Sequence, residues 1–185
     1  MVNRALKSFG ILCVIAYIVV AYISQEPLQS ISSAVSISVV LFSIYSTFLW
    51  RYNPLEKTPY IGGTYSAHHF SSYKDKPEYT TTIIIKQNLF SLSFYETGSS
   101  GWCGSIAVAL TPTSSDAWEV VCTYRTHPLQ NVYRSQYDQD DPHEGTMLLC
   151  YHPSEPSILS GTYFTNRPHP TRGETVLTRK KNNRK

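Results

Sequence analysis

Between Lys7 and Arg51 the chain carries one formal charge, Glu26, and beyond Pro59 its apolar residues start to alternate with polar ones. This change of pattern constrains the fold more than any other feature. Ser8 to Gln25 is uncharged and dominated by Ile, Val, Leu and Phe. A bilayer core of about 30 Å takes around 20 helical residues, so this stretch is long enough to span, with Lys7 snorkelling at its start. A second uncharged stretch, Pro27 to Trp50, follows a turn of Gln25, Glu26 and Pro27. The expectation is a transmembrane hairpin within residues 1–57, with helices over about 6–25 and 28–50. A cleaved signal peptide fits less well, because a second span follows directly and no clear small-residue cleavage site separates them. Arg4 and Lys7 precede the first helix and Arg51 and Lys57 follow the second, whereas the turn has no basic residue. The positive-inside rule then places both termini and the following domain on the cytoplasmic side. Ser32, Ser36, Ser43 and Thr47 recur at spacings of four, seven and four, which puts them on one face of the second helix. Such small hydroxyl residues suit close helix approach and self-association, or else bond back to their own helix.

From 58 to 179 the period is two. Runs suited to strands cover Gly63 to Phe70, Tyr79 to Gln87, Leu89 to Tyr95, Cys103 to Leu110, Trp118 to Thr126, Thr146 to Tyr151, Ile158 to Asn166 and Gly173 to Arg179. The connections at Glu96 to Gly101 and Pro112 to Asp116 hold the Gly, Ser, Thr, Pro and Asp that tight turns require. Eight consecutive short strands with no helical pattern between them predict an all-β domain, an eight-stranded up-and-down antiparallel barrel, because closure removes exposed edges. A two-sheet sandwich is the alternative. A barrel of this size has room for a filled core and one small ligand. Trp118, Val120, Cys122 and Tyr124 form an apolar, inward face, and Leu159, Gly161, Tyr163, Thr165 and Arg167 one that turns polar toward the strand end.

The net charge of +3 does not describe this domain: Thr58 to Thr178 holds 7 Lys and Arg against 11 Asp and Glu. The basic excess lies in the membrane flanks and in the tail, residues 180–185 with the adjacent Arg179. A DNA or RNA polymer would need a broad basic surface, which is missing, while a small anion could be held by one or two arginines. Cys13, Cys103, Cys122 and Cys150 show no metal-ligand spacing and read as free thiols. His68 and His69 are adjacent, so they point to opposite faces of a strand and do not share a metal. The acidic run Asp138, Asp140, Asp141, His143, Glu144 has His143 and Leu149 where a calcium loop needs glycine and glutamate. No GxSxG, HExxH or phosphate-cradling glycine loop occurs. No catalytic residue, metal or cofactor is therefore expected. Tyr163, Thr165 and Arg167, at alternate positions of one strand, bring together groups that can stack a base and hold a phosphate. The bland alternative is core packing that ends in an exposed arginine.

Gly145 to Leu149, Leu159 to Arg167 and Thr171 to Gly173, with Gly62, Gly63, Gln87, Tyr124 and Pro128, resemble the signature of a known family. It is the CD-NTase-associated protein fifteen family, membrane effectors of CBASS (cyclic-oligonucleotide-based antiphage signalling systems). The resemblance covers nearly the whole chain. It implies a receptor for a cyclic dinucleotide made by a companion nucleotidyltransferase, which assembles with itself and disrupts the bacterial inner membrane, killing the infected cell. It also implies a ligand set of Arg167, Thr165, Tyr163, Tyr124, Gln87 and Thr171. Rival classes are a calycin-like carrier of an apolar ligand at the membrane and a structural envelope protein with an incidental barrel.

Overall fold

The computed structural model of the protein describes residues 2–24, 27–72, 78–99, 101–113, 115–128, 142–167 and 170–180, with the side chains of 2–8, 12, 24, 27–30 and 128 excepted. The chain forms two compact units: Met1–Pro59 together with Asn88–Phe90, and Tyr60–Gln87 together with Ser91–Lys185.

The helical unit contains α1 (Val2–Ser24) and α2 (Pro27–Ile44). α2 runs on through a π-helical turn, Tyr45–Leu49, and a 3-10 turn, Trp50–Tyr52. Residues Ile31–Tyr52 make one helix long and apolar enough to cross a membrane, and Phe9–Ile23 is a shorter apolar stretch among the described residues. The buried residues Ala16 on α1 and Ala34 and Ser38 on α2 are all small, which lets the two helices pack closely. The helix stops at Asn53, which is extended (ψ 114°) because the following Pro54 disfavours the α region. Its side chain closes the end, taking the Leu55 N–H at 3.0 Å and donating to the Tyr45 hydroxyl at 2.7 Å.

The second unit is a closed barrel with strand order β1 to β8, every neighbour antiparallel, so the up-and-down barrel and not the sandwich is formed. The strands are β1 Gly63–Ser71, β2 Glu78–Gln87, β3 Leu92–Thr97, β4 Gly101–Pro112, β5 Trp118–Pro128, β6 Glu144–Tyr151, β7 Ile158–Thr165 and β8 Arg172–Arg179. Seven of the eight agree with the alternation to within two residues at each end. β3 starts three residues later than its apolar run, because Leu89 and Phe90 leave the sheet. Alternate residues fill the interior, among them Tyr65, Ile83, Phe94, Val120, Cys122, Met147, Leu149, Leu159 and Leu177. β4 carries a bulge between Ser105 and Ala107 that leaves Ile106 exposed on the outside. Gly161 is fixed by close approach: a Cβ there would collide with the Leu148 carbonyl of β6.

Candidate functional site

The barrel has two unlike ends. At one, Arg179 donates to the Tyr65 hydroxyl (2.7 and 3.0 Å), which donates to the Ile61 carbonyl (2.8 Å), while Gln87 Oε1 accepts the Ile61 N–H (2.7 Å). Gln87 therefore fastens the segment that leads into β1. The register sets it opposite Leu92, at the far end of the barrel from Arg167. It is not brought together with the other candidate ligand residues.

Tyr124, Tyr163, Thr165, Arg167 and Thr171 do gather at the other end. Gly145 stands between Tyr124 on β5 and Thr165 on β7. A Cβ on it would strike the Tyr124 ring, so glycine is what lets that ring lie against β6. Thr165 and Thr171 close the β7–β8 connection, their hydroxyls 2.9 Å apart and the Thr171 N–H donating to Thr165 Oγ1 at 3.1 Å. Thr165 is buried, as is Tyr163, whose hydroxyl lies 3.5 Å from that of Tyr79. Both side chains are covered in this structure. Arg167 is half-buried and donates from Nε to His143 Nε2 at 3.2 Å. A guanidinium only donates, so His143 Nε2 is the acceptor in this bond. The terminal nitrogens of Arg167 have no partner among the described residues. Next to it Arg125 pairs with Glu144 (2.6 Å), and Asn166 is tied to Glu144 by bonds of 2.8 and 2.9 Å.

Beneath this rim the interior is polar, which the sequence reading did not single out. His69 Nε2 lies 3.1 Å from Glu96 Oε1 and 2.9 Å from Thr81 Oγ1, whose hydroxyl donates to the same oxygen at 2.7 Å. The Cys103 thiol donates to Glu96 Oε2 at 3.2 Å. Burial pushes the Glu96 carboxyl up, but the bonds from His69, Thr81 and Cys103 more than offset it and hold the pKa below the usual value. Burial pushes the Cys103, Tyr79 and Tyr124 groups far up and the Cys122 thiol up to about 12, so all four stay protonated. His69 Nδ1 and Thr175 Oγ1, on directly paired residues of β1 and β8, are buried without a partner among the described residues. Alternation could have located this network, since Glu96 follows Phe94 and His69 follows Ala67 on inward faces. A cavity bounded by Glu96, Cys103, Ser105, Tyr124, Ile83 and Met147 amounts to about 10 Å³, room for one water. Among the described residues the interior beside Glu96 is closely packed.

His68 is half-buried and His69 buried, their side chains on opposite faces as adjacency on a strand requires. His143 and Glu144 of the acidic run fall at the rim, while Asp138, Asp140 and Asp141 lie outside the described residues. No cluster of metal-ligating side chains occurs among the described residues. The cysteines are free thiols. The Ser36, Ser43 and Thr47 hydroxyls bond back to carbonyls four residues earlier, at 2.7 to 2.9 Å.

A closed barrel with a packed interior and an arginine presented at its polar rim has the build of a ligand-binding receptor domain. Residues 56–179 match the family model described as Cap15, cyclic dinucleotide receptor domain, and the chain belongs to that family. No curated protein matches the chain.

Proposed function

We propose that this protein is a CBASS effector that binds a cyclic dinucleotide at the rim of its barrel, assembles with itself and breaks the barrier of the bacterial inner membrane. The observation that carries the reading is Arg167: its Nε is held by His143, and its terminal nitrogens are uncommitted among the described residues at the end of the strand bearing Tyr163 and Thr165. That presents a guanidinium fork to a phosphate. Tyr124 and Thr171, half-buried beside it, supply a ring and a hydroxyl, and Tyr163 and Thr165 brace them. Both helices cross the membrane, with the termini and the barrel in the cytoplasm, because the basic residues flank the hairpin and avoid its turn. The assembly surface is the face of Ser32, Ser36, Ser43 and Thr47. A calycin-like carrier would need an interior chamber for its apolar ligand, and the cavity beside Glu96, among the described residues, takes one water. Purified intact protein should bind at least one of cyclic di-AMP, cyclic di-GMP and cyclic GMP-AMP, and supplying that nucleotide to expressing cells should depolarise their membrane. Binding of fatty acids with no response to any of the three nucleotides would refute the proposal.

A further inference from the structure

Three residues of the β2–β3 connection do not belong to the barrel. Asn88–Phe90 cluster with the helices, although the chain enters them from Gln87 and leaves through Ser91, both of the barrel unit. A surface turn of this length is ordinarily polar. This one carries Leu89, which is 4% exposed and shares a small core with Trp50, Phe42 and Tyr45. The Phe90 ring lies 5.9 Å from that of Phe42, which in turn lies 5.1 Å from Phe9 of α1. Asn88 stiffens the turn by accepting the Phe90 N–H at 2.8 Å.

The backbone bond is the more informative contact. In an α-helical register the Trp50 N–H would donate to the Ser46 carbonyl. In the π-helical turn it donates to Tyr45 instead, and the Ser46 carbonyl accepts the Leu89 N–H at 2.9 Å. The helix thus has two ways to satisfy one carbonyl. If Leu89 withdraws, the Trp50 N–H can donate to Ser46 in its place, the Tyr45 carbonyl that it leaves can accept the Leu49 N–H as in an α-helix, and the Leu89 amide can turn to water, so the exchange need strand no buried polar group. That balance is what a two-state element needs.

We infer that the turn Asn88–Phe90 is the relay through which occupancy of the barrel reaches the membrane helices, by exchanging the partner of the Ser46 carbonyl. Its strands are the connection. β2 carries Thr81 and β3 carries Glu96 near the ligand rim, and both strands run directly into the turn. At the start of the turn Gln87 also holds Ile61, so the two points where the chain passes from the helical unit into the barrel are tied together within the barrel. The inference rests on the nucleotide-gated reading given above.

The test uses intact protein in lipid nanodiscs and in cells, with whichever of cyclic di-AMP, cyclic di-GMP and cyclic GMP-AMP the wild type binds. One variant has two glycines inserted on each side of Asn88–Phe90, which leaves the turn its contacts but slackens its link to β2 and β3. A second, Leu89→Ala with Phe90→Ala, weakens the contacts and leaves the link. Both should bind the nucleotide as the wild type does. Allosteric coupling is ordinarily worth about 5- to 150-fold, so the nucleotide concentration for half-maximal depolarisation should rise by at least about fivefold. Hydrogen exchange of the wild type should show the Leu89 amide losing protection when nucleotide binds. Variants that depolarise at wild-type concentrations would overturn the relay and leave the gating reading intact. Loss of binding in both variants would make the turn a structural part of the barrel, and the relay would fall. A wild type that binds none of the three nucleotides would overturn both readings together.

Discussion

Arg167 and Glu96 are both charged residues near one end of the barrel, and their surroundings give them opposite tasks. Arg167 spends one donor on His143 and keeps its terminal fork at the rim, where truncation removes charge without opening the core. A charge-assisted hydrogen bond contributes about 1.5 to 3 kcal/mol, so Arg167→Ala should weaken nucleotide binding roughly ten- to a hundredfold and leave thermal unfolding unchanged. Wild-type affinity in the folded variant would remove Arg167 from the site. Glu96 is internal, its oxygens taken up by His69, Thr81 and Cys103. Because its folded-state pKa is lowered, the unfolded chain takes up the proton first as pH falls. The stabilisation is complete above the ordinary carboxylate value of about 4.3 and is lost as pH drops through the lower folded-state value. Glu96→Gln should therefore lower the melting temperature of the detergent-solubilised protein at pH 7. The gap between variant and wild type should narrow on acidification below about pH 4. A gap that stayed constant from pH 7 to pH 3 would show that the carboxylate charge contributes nothing.

At the scale of elements, what could be read in advance follows from how local each cause is. Strand positions were legible because a half-buried strand writes its faces into alternate residues, as in Trp118, Val120, Cys122 and Tyr124. The start of β3 was not, since Leu89 is apolar for a reason outside the sheet: it is buried with Trp50. That Gln87 lies at the other end of the barrel from Arg167 was not legible for a related reason, because a single glutamine on a strand does not reveal which end its neighbours occupy. The rim set around Arg167 was partly legible, as period two links Tyr163 to Arg167. His143, which holds the guanidinium Nε, comes from the loop just before β6 and leaves no periodic mark. The seam residues Ser32, Ser36, Ser43 and Thr47 were legible as one helical face, and the Ser36, Ser43 and Thr47 hydroxyls are already satisfied by their own helix. What that face offers a neighbour is smallness. It lies roughly opposite Ala34 and Ser38, the buried side of the helix, and is exposed. Ser36→Leu with Ser43→Leu should consequently keep nucleotide affinity while abolishing nucleotide-driven depolarisation, because bulky residues prevent close approach. Wild-type depolarisation by this double variant would mean that the seam faces lipid and assembly uses another surface.

For the molecule as a whole, the division into units decides what should survive separation. The interior residues of the barrel come from its own eight strands and from Ile61 just before β1, and Arg179, Tyr65 and Gln87 hold that segment from within the same unit. Among the described residues that core draws only on residues of the barrel unit, so a fragment beginning near Thr58 should fold as β-structure and bind the nucleotide without killing cells. Removing the helices has one specific consequence, which falls on Asn88–Phe90. Leu89 and Phe90 lose the residues that cover them, and two adjacent large apolar side chains at a loop tip make an aggregation-prone patch. Leu89→Ser with Phe90→Ser should therefore raise the solubility of the fragment while leaving its melting temperature and nucleotide affinity where they were. In the full-length chain the same two changes should leave nucleotide affinity unaltered and raise the nucleotide concentration needed for depolarisation. Static light scattering on the fragment, its circular dichroism melt and a binding titration separate these effects. If the double substitution lowers the melting temperature of the fragment, Leu89 and Phe90 belong to the barrel core and the division of the chain at this turn is wrong. If it leaves aggregation unchanged, the exposed surface that drives association lies elsewhere on the barrel, with Ile106 at the β4 bulge as the first residue to replace.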